Sequence, residues 1–280
     1  MSDLNFDKLL KILTCSKHSS NKLNLIANQL LCTLCNGKVA DIVSRSPVKI
    51  DFSDYFQSNL LTGSESSVTV KKFTNWKTEN LNFLLEMKIN TGITVDIGSG
   101  AGVFHPYLSL PTQINIDFTN YSATNLISNL ENDIPLSSKS VDSVIMANVL
   151  EHLQESKVIE EAYRILKING RLLITIPFLL DVHQAPYDFH RYTHIYLTNL
   201  LQKSGFEIAL IRPSGDFGTF QVLAEHYFRF KIDQGSFIAK LLWQNQKIIN
   251  WFLKNTVQVS HRLEYTGGYM ISAIKRQNTN

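Results

Sequence analysis

The sequence is poor in the residues that punctuate or crosslink a chain. Its 280 residues include only 13 glycines, 7 prolines and 3 cysteines. So little Gly and Pro excludes a collagen-like or linker-dominated chain. An odd, low cysteine count argues against a disulfide framework and suits a reducing compartment. No apolar run approaches the ~20 residues that span a bilayer. Met1-Ser2-Asp3-Leu4-Asn5 lacks the basic region and apolar stretch of a signal peptide. The expectation is a cytoplasmic protein. An excess of one charge is also lacking. The 27 Lys and Arg against 24 Asp and Glu leave +3, so nucleic acid is a disfavoured partner. Apolar residues are plentiful at 44%, with 18% charged, which is enough for a sizeable core. The length suits one large domain and a small accessory one.

All three cysteines fall within the first 35 residues. Cys15-Ser16-Lys17-His18 is followed, after thirteen intervening residues, by Cys32-Thr33-Leu34-Cys35. Each knuckle brings two soft or imidazole ligands together, as a tetrahedral zinc site requires. The intervening stretch is long enough for a hairpin. Small buried thiols and a stray histidine would be the plainer reading. The matched spacers, with no other cysteine, favour one structural Zn2+ on Cys15, His18, Cys32 and Cys35. A segment this short cannot build a core alone, and a metal compensates. Residues 9–15 before the knuckles and 46–50 after them resemble the zinc ribbons that precede many bacterial methyltransferase domains. They also resemble the small activator subunit of tRNA and protein methyltransferases. Those ribbons usually carry Cys at the position of His18. We expect a ribbon-like module at 1–55, a polar Ser/Thr-rich linker at 56–72 and the main domain at 73–280.

Ile93-Thr94-Val95-Asp96-Ile97 reads as a buried strand and ends in Gly98-Ser99-Gly100-Ala101-Gly102. An amphipathic stretch from Val103 to Leu110 then predicts a helix. Strand, glycine turn and helix make a nucleotide-cradling unit. A second strand, Gln113 to Asp117, ends in an acid about twenty residues on, where a ribose diol can be held. Asp96 lies inside the strand before the turn. A pyrophosphate has little use for a carboxylate there, but an amino-acid ammonium does. The site therefore reads as one for a zwitterion joined to a nucleoside.

Later segments follow in order. The segment Asn129 to Leu136 precedes a strand, Ser140 to Asn148. Val149-Leu150-Glu151-His152-Leu153, a helix over about 155–168, the turn Asn169-Gly170 and a strand Arg171 to Pro177 come next. This succession resembles a class I S-adenosylmethionine-dependent methyltransferase over residues 75–212, with a final strand at Gly268–Lys275. The resemblance implies an α/β fold, a doubly wound, seven-stranded and mostly parallel sheet. It implies S-adenosylmethionine as donor. Asp96, Gly98, Gly100 and Gly102 would take its methionine and ribose end, Asp117 the ribose, and Asn129 and Leu130 the adenine. Ala147 and Asn148 would line the methyl-bearing end. Tyr163 and Lys167 also match the Tyr-x-x-x-Lys pair of short-chain dehydrogenases, but they follow the glycine turn too soon for that family.

Residues 178–193 form a sixteen-residue connection after the fifth strand. Long loops above strand C-termini usually carry function. This one is similar to a loop of methyltransferases associated with cell-surface polysaccharide assembly. His183 is the leading general base, with His190 and His152 behind it; Arg191 is an acceptor clamp or, paired with Asp188, a loop anchor. A metal set of Asp181, His183, Asp188 and His190 lacks a compelling spacing. Thr193 should cap a helix at 194–204. Residues 216–258 read as a helical insertion, apolar on one face. They suit domain capping, a dimer interface, or peripheral membrane contact through residues 236–254 at the inner membrane face. The expected reaction is methyl transfer to a glycan or lipid-linked sugar hydroxyl. An RNA base as acceptor and a non-catalytic interaction protein are the alternatives.

Overall fold

In the computed structural model the described residues are 4–15, 17–18, 22–52, 75–155, 157–214, 231, 233–245, 263–264 and 266–277. The linker at 56–72 and most of the insertion at 216–258 lie outside them. The N-terminal segment starts with a short helix α1 (Phe6–Leu10), capped by the Asn5 side chain, which accepts from Lys8 N–H at 3.1 Å. An antiparallel meander follows: β1 (Leu23–Ile26), β2 (Gln29–Cys32), β3 (Lys38–Arg45) and β4 (Val48–Asp51). Helix α2 (Asn75–Glu86) then leads into β5 (Ile93–Ile97), β6 (Thr112–Asp117), β7 (Leu126–Ile127) and β8 (Val141–Ala147). The chain continues through α3 (Lys157–Ile165), β9 (Leu166–Pro177), α4 (His194–Lys203), β10 (Phe206–Pro213), α5 (Phe237–Gln244) and β11 (Gly268–Lys275).

All eleven strands form one sheet, ordered β1-β2-β3-β4-β7-β6-β5-β8-β9-β11-β10. The expected fold class is present, but the sheet has eleven strands rather than seven; its stretch from β7 to β10 is parallel except for β11, which runs antiparallel to both β9 and β10. The N-terminal strands continue this sheet, because β4 pairs in parallel with β7 through Ile50–Leu126 and Asp51–Ile127.

Side chains alternate across the strands, as the two-residue period demands. Val144, Met146, Leu172, Ile174 and Ile271 join the larger core, which includes Val158, Ile159 and Ala162 of α3 and Leu197 and Leu201 of α4. Their strand neighbours Ile145, Leu173 and Met270 pack with Leu81, Phe83 and Leu84 of α2 in a second cluster. Helices thus cover both faces of the sheet, which explains why its central strands are largely apolar on both faces.

Two local expectations need correction. The stretch Val103–Leu110 forms no α-helix, only a 3-10 turn at His105–Tyr107. Pro106 fits the start of a turn, but Pro111 biases Leu110 away from helical geometry. The helix expected over 155–168 ends at Ile165, and β9 begins at Leu166. Buried Lys275 fixes this end: its Nζ donates to Tyr163 O (2.6 Å) and Leu166 O (2.8 Å) and lies 4.5 Å from the Tyr163 ring centre. A cation on the last carbonyls of a helix replaces the bonds that the helix cannot make for itself. Tyr163 and Lys167 form no pair, because Lys167 bonds Asp142 at 2.9 Å instead.

The connection from β6 to β8 also lacks a helix, so side chains satisfy its backbone. Glu161 on α3 accepts from Ile134 N–H (2.6 Å), and Arg164 donates to Ile134 O (2.7 Å) and Leu136 O (2.6 Å).

Candidate functional site

The parallel strands β5, β6 and β8 end at one edge of the sheet, where open α/β sheets bind ligands. Asp96, Asp117, Ala147 and Asn148 lie at that edge. Gly98 has φ +70°, and a Cβ there would lie 2.5 Å from Val149, so only glycine suits the turn. Gly100 has φ +52°, but a Cβ there would meet nothing within 4 Å. Gly100 therefore borders open space, and its N–H donates to Asp117 Oδ2 at 2.8 Å.

Asp117 is 3% exposed. Its Oδ1 accepts from Thr119 N–H at 2.8 Å. Each carboxylate oxygen retains a second acceptor site, which suits adjacent ribose hydroxyls. Burial pushes its pKa up to about 6, against the lowering effect of these two N–H groups. Asp96 is buried too, and His105 Nε2 lies 2.8 Å from its Oδ2. The 3-10 turn thus places an imidazole on this buried carboxylate. Asn129 Oδ1 accepts from Glu131 N–H at 3.0 Å, while Leu130 is buried. Asn148, at φ +58°, accepts from Trp76 Nε1 through its Oδ1 at 2.9 Å. Neither His105 nor Trp76 stood out in the sequence, because each reaches the site only through folding.

The loop 178–193 packs on the 3-10 turn Leu150–His152 that follows β8. The Glu151 carbonyl accepts from Phe189 N–H (2.8 Å) and His190 N–H (3.2 Å). Arg191 ties the loop together. Its guanidinium makes two bonds to the Asp188 carboxylate, one of 2.6 Å, and donates to Leu180 O (3.2 Å), Asp181 O (2.9 Å) and His190 O (2.8 Å). Asp188 also accepts from His183 N–H at 2.8 Å. Arg191 holds the Asp188 carboxyl down at about 2, and burial only partly offsets this.

The five acceptor-side candidates separate. His183 and His152 meet edge to face, with ring centres 5.1 Å apart. His190 turns away, its Nε2 lying 3.2 Å from Gln154 O. Asp188 and Arg191 are engaged with each other. The structure adds Glu151, whose side chain is fully buried with His152 Nε2 at 3.7 Å and His183 Nε2 at 3.9 Å from its Oε1. Burial raises the Glu151 carboxyl to about 8. Burial also lowers the His152 pKa, more than its bond to Tyr187 O raises it. The sequence signal for Glu151 is an acid following the apolar pair Val149-Leu150 at a strand end.

At the other end of the sheet the ligand atoms of Cys15, His18, Cys32 and Cys35 all lie within 4.8 Å of one another. His18 Nδ1 is 3.5 Å from both Cys15 Sγ and Cys32 Sγ. Burial disfavours a Cys32 thiolate, but backbone N–H groups of Cys35 and Leu34 and the neighbouring thiols outweigh it and hold the thiol at about 6. Three thiols and one imidazole at this separation fit a tetrahedral zinc.

The Asp188–Arg191 pair predicts an acid-labile loop. A carboxyl lowered from 3.8 to about 2 contributes stability above pH 3.8 that is lost as pH falls through about 2. Asp188→Asn should remove most of that stability at neutral pH, read as faster proteolytic cleavage within 178–193 with unchanged far-UV dichroism. Cleavage at the wild-type rate would show that the pair does not hold the loop.

Residues 95–174 match the family described as "Methyltransferase domain". No curated protein matches the sequence as a relative. Among solved structures, the chain is similar to Haemonchus contortus phosphoethanolamine N-methyltransferase 2, bound there to phosphomonomethylethanolamine and S-adenosylhomocysteine. That likeness has 19% identity and a TM-score of 0.46, covering 71% of this chain and 53% of that one. The chain thus spans about half the length of that enzyme. A putative methyltransferase from Bacillus halodurans shares 12% identity at a TM-score of 0.46, covering 70% of this chain and 99% of that one. A complex of the Haloferax volcanii Trm112 methyltransferase activator with a putative methyltransferase gives 13% identity and a TM-score of 0.46, covering 72% and 90%. The strand order, the glycine turn and the family match agree: residues 95–174 belong to a methyltransferase domain.

Proposed function

We propose that the protein transfers the methyl group of S-adenosylmethionine to a hydroxyl of a glycan or lipid-linked sugar. The observation that carries this reading is the anchored loop 178–193. It brings His183 onto Glu151 and His152, immediately after the strand end that presents Asn148. In the reaction the acceptor oxygen attacks the methyl carbon in line, and the carbon–sulfur bond breaks to leave a neutral thioether. The sulfonium is already activated, so the protein has to position the acceptor and draw off its proton. The cluster of Glu151, His152 and His183 is placed for the second task.

An open cavity of about 850 Å³ borders the loop at His190–Thr193, and Glu151, His152 and His183 do not line it. His190, Tyr192 and Tyr196 line it. Ring centres of His190 and Tyr192 lie 5.0 Å apart, and those of Tyr192 and Tyr196 5.3 Å. Such a ladder offers flat apolar faces beside the polar groups of Gln154 and Lys157. Helix α5 exposes Phe237, Ile238 and Leu241, which suits peripheral contact with a membrane that presents a lipid-linked acceptor. Among the described residues no helix is long and apolar enough to cross a membrane.

Donor binding is the first test. We expect a micromolar dissociation constant, about −8 kcal/mol. Ribose hydroxyls donate to ionised Asp117, so affinity should fall as pH drops through about 6. Asp96 and Tyr121 also face this group electrostatically. Asp117→Asn should bind roughly tenfold more weakly at neutral pH and lose the pH dependence. Calorimetry showing no binding, or binding of NADH instead, would overturn the donor assignment.

The acceptor side is tested by His183→Ala. The variant should bind the donor normally yet methylate extracted glycolipid roughly 10²–10⁴-fold more slowly. Full activity would make His183 a structural residue, and transfer to total RNA but not glycolipid would replace the acceptor class.

We propose further that Cys15, His18, Cys32 and Cys35 hold one structural zinc. Chelation should loosen residues 10–50 in hydrogen exchange more than β5 to β9, because all four ligands lie within residues 15–35, although both parts share one apolar core. Zinc-free protein after zinc-supplemented expression would refute it.

A further inference from the structure

We propose that Glu151, His152 and His183 bind a divalent transition-metal ion beside the acceptor loop. The first observation is a buried carboxyl without hydrogen-bond partners. Glu151 is 0% exposed, and neither carboxylate oxygen has a hydrogen-bond partner. Buried carboxylates are rarely left without donors, and a bound cation is one of the few remedies.

The second observation is the state of the two imidazoles. His152 Nδ1 lies 2.6 Å from Tyr187 O, an acceptor only, so Nδ1 carries the proton and Nε2 a bare lone pair. That Nε2 is buried without a hydrogen-bond partner. His183 Nδ1 faces Asp181 O at 3.2 Å and Asp188 Oδ2 at 3.3 Å, with the Arg191 guanidinium farther at 3.4 Å. With the proton on Nδ1, facing these two oxygens, Nε2 is bare here too. Both lone pairs converge on the carboxylate.

The spacing separates a metal from a shared proton. The distances of 3.7 and 3.9 Å from Glu151 Oε1 to the two Nε2 atoms are too long for hydrogen bonds. Two ligands that each lie ~2.0–2.2 Å from one ion are separated by such distances at a wide bond angle. The three ligand atoms lie within 4.8 Å of one another. Two imidazoles and one carboxylate suit zinc, manganese, iron or cobalt over magnesium or calcium.

The surroundings match those of metal-bound histidines, whose second nitrogen is held by a carbonyl or carboxylate. Tyr187 O does this for His152, and Asp181 O and Asp188 for His183. The Asp188–Arg191 pair then orients a ligand as well as anchoring the loop. The His183 side chain is 37% exposed, so one side of the cluster stays open to a further ligand. On the acceptor reading given above, that ligand would be the sugar hydroxyl: with the ion bound, His183 would serve as a ligand in place of the base, and the acidified hydroxyl would release its proton to water on the open side. Ion binding itself does not depend on that reading.

The test uses full-length protein with its ribbon zinc-filled, and Mn2+ as probe, without donor or acceptor. Electron paramagnetic resonance and calorimetry should count one bound Mn2+. His183→Ala, on an exposed loop, and Glu151→Gln should each weaken binding at least ~100-fold while S-adenosylmethionine still binds. If Glu151→Gln fails to fold, His183→Ala alone decides. No ion bound at ~1 mM Mn2+ or Zn2+, or unchanged binding in His183→Ala, overturns the proposal. Glycolipid methylation by ion-free protein would overturn the metal's role and leave the acceptor reading standing. Ion binding without any sugar methylation would do the reverse.

Discussion

The candidate site depends on the parallel pairing of β5 with β6 and β8. Asp96 stands opposite Asn115 on one side and Ile145 on the other. This register brings the ends of three strands to one edge, so that Asp96, Asp117 and Asn148 come together from segments far apart in sequence. The Leu150–His152 turn follows β8 directly and inherits that position. Loop 178–193, leaving β9, then folds back on the turn through the Glu151 carbonyl. Slipping one strand by a residue would turn these side chains toward a helix-covered face, so the apolar burial of the sheet and the geometry of the site are one constraint.

Three carboxylates near this edge differ because their surroundings differ. Asp117 is desolvated yet receives two backbone N–H donors, and its pKa rises only to about 6. Glu151 is desolvated with no donor and rises to about 8. Asp188 sits under the Arg191 guanidinium and falls to about 2. Desolvation without compensation marks Glu151 as the group whose chemistry is incomplete in the protein alone. Asp188 by contrast is satisfied, and its role is to hold His183 and the loop in place.

The connections on the β7 side of the sheet are sparse, and this has consequences. Without a helix after β5, the glycine turn leads into a 3-10 turn that sets His105 on Asp96. Without a helix after β6, Glu161 and Arg164 of α3 carry the backbone of Ile134 and Leu136. The short β7 leaves that edge free to pair with β4, and the cysteine-bearing strands extend the sheet there. In each case a missing regular element is replaced by side-chain bonds or by a distant strand.

Local rules carried the reading of the sequence wherever a signal was complete within a few residues. The strand at Ile93–Ile97, the glycine turn after it, the Thr193 cap on α4 and the strand at Gly268–Lys275 were all legible this way. The zinc-type spacing was legible because two knuckles carry their own geometry, and folding brings the four residues within ligand distance of one another. The helix expected at Val103–Leu110 is replaced by a 3-10 turn, and Pro111 accounts only for its end at Leu110. Tertiary structure alone decided the rest. It chose His183 over His190 as the partner of His152, and it made Glu151 a buried group without donors. It also joined β4 to β7. These outcomes depend on which distant segments remove water from a side chain, and a sequence does not state desolvation until the chain has packed.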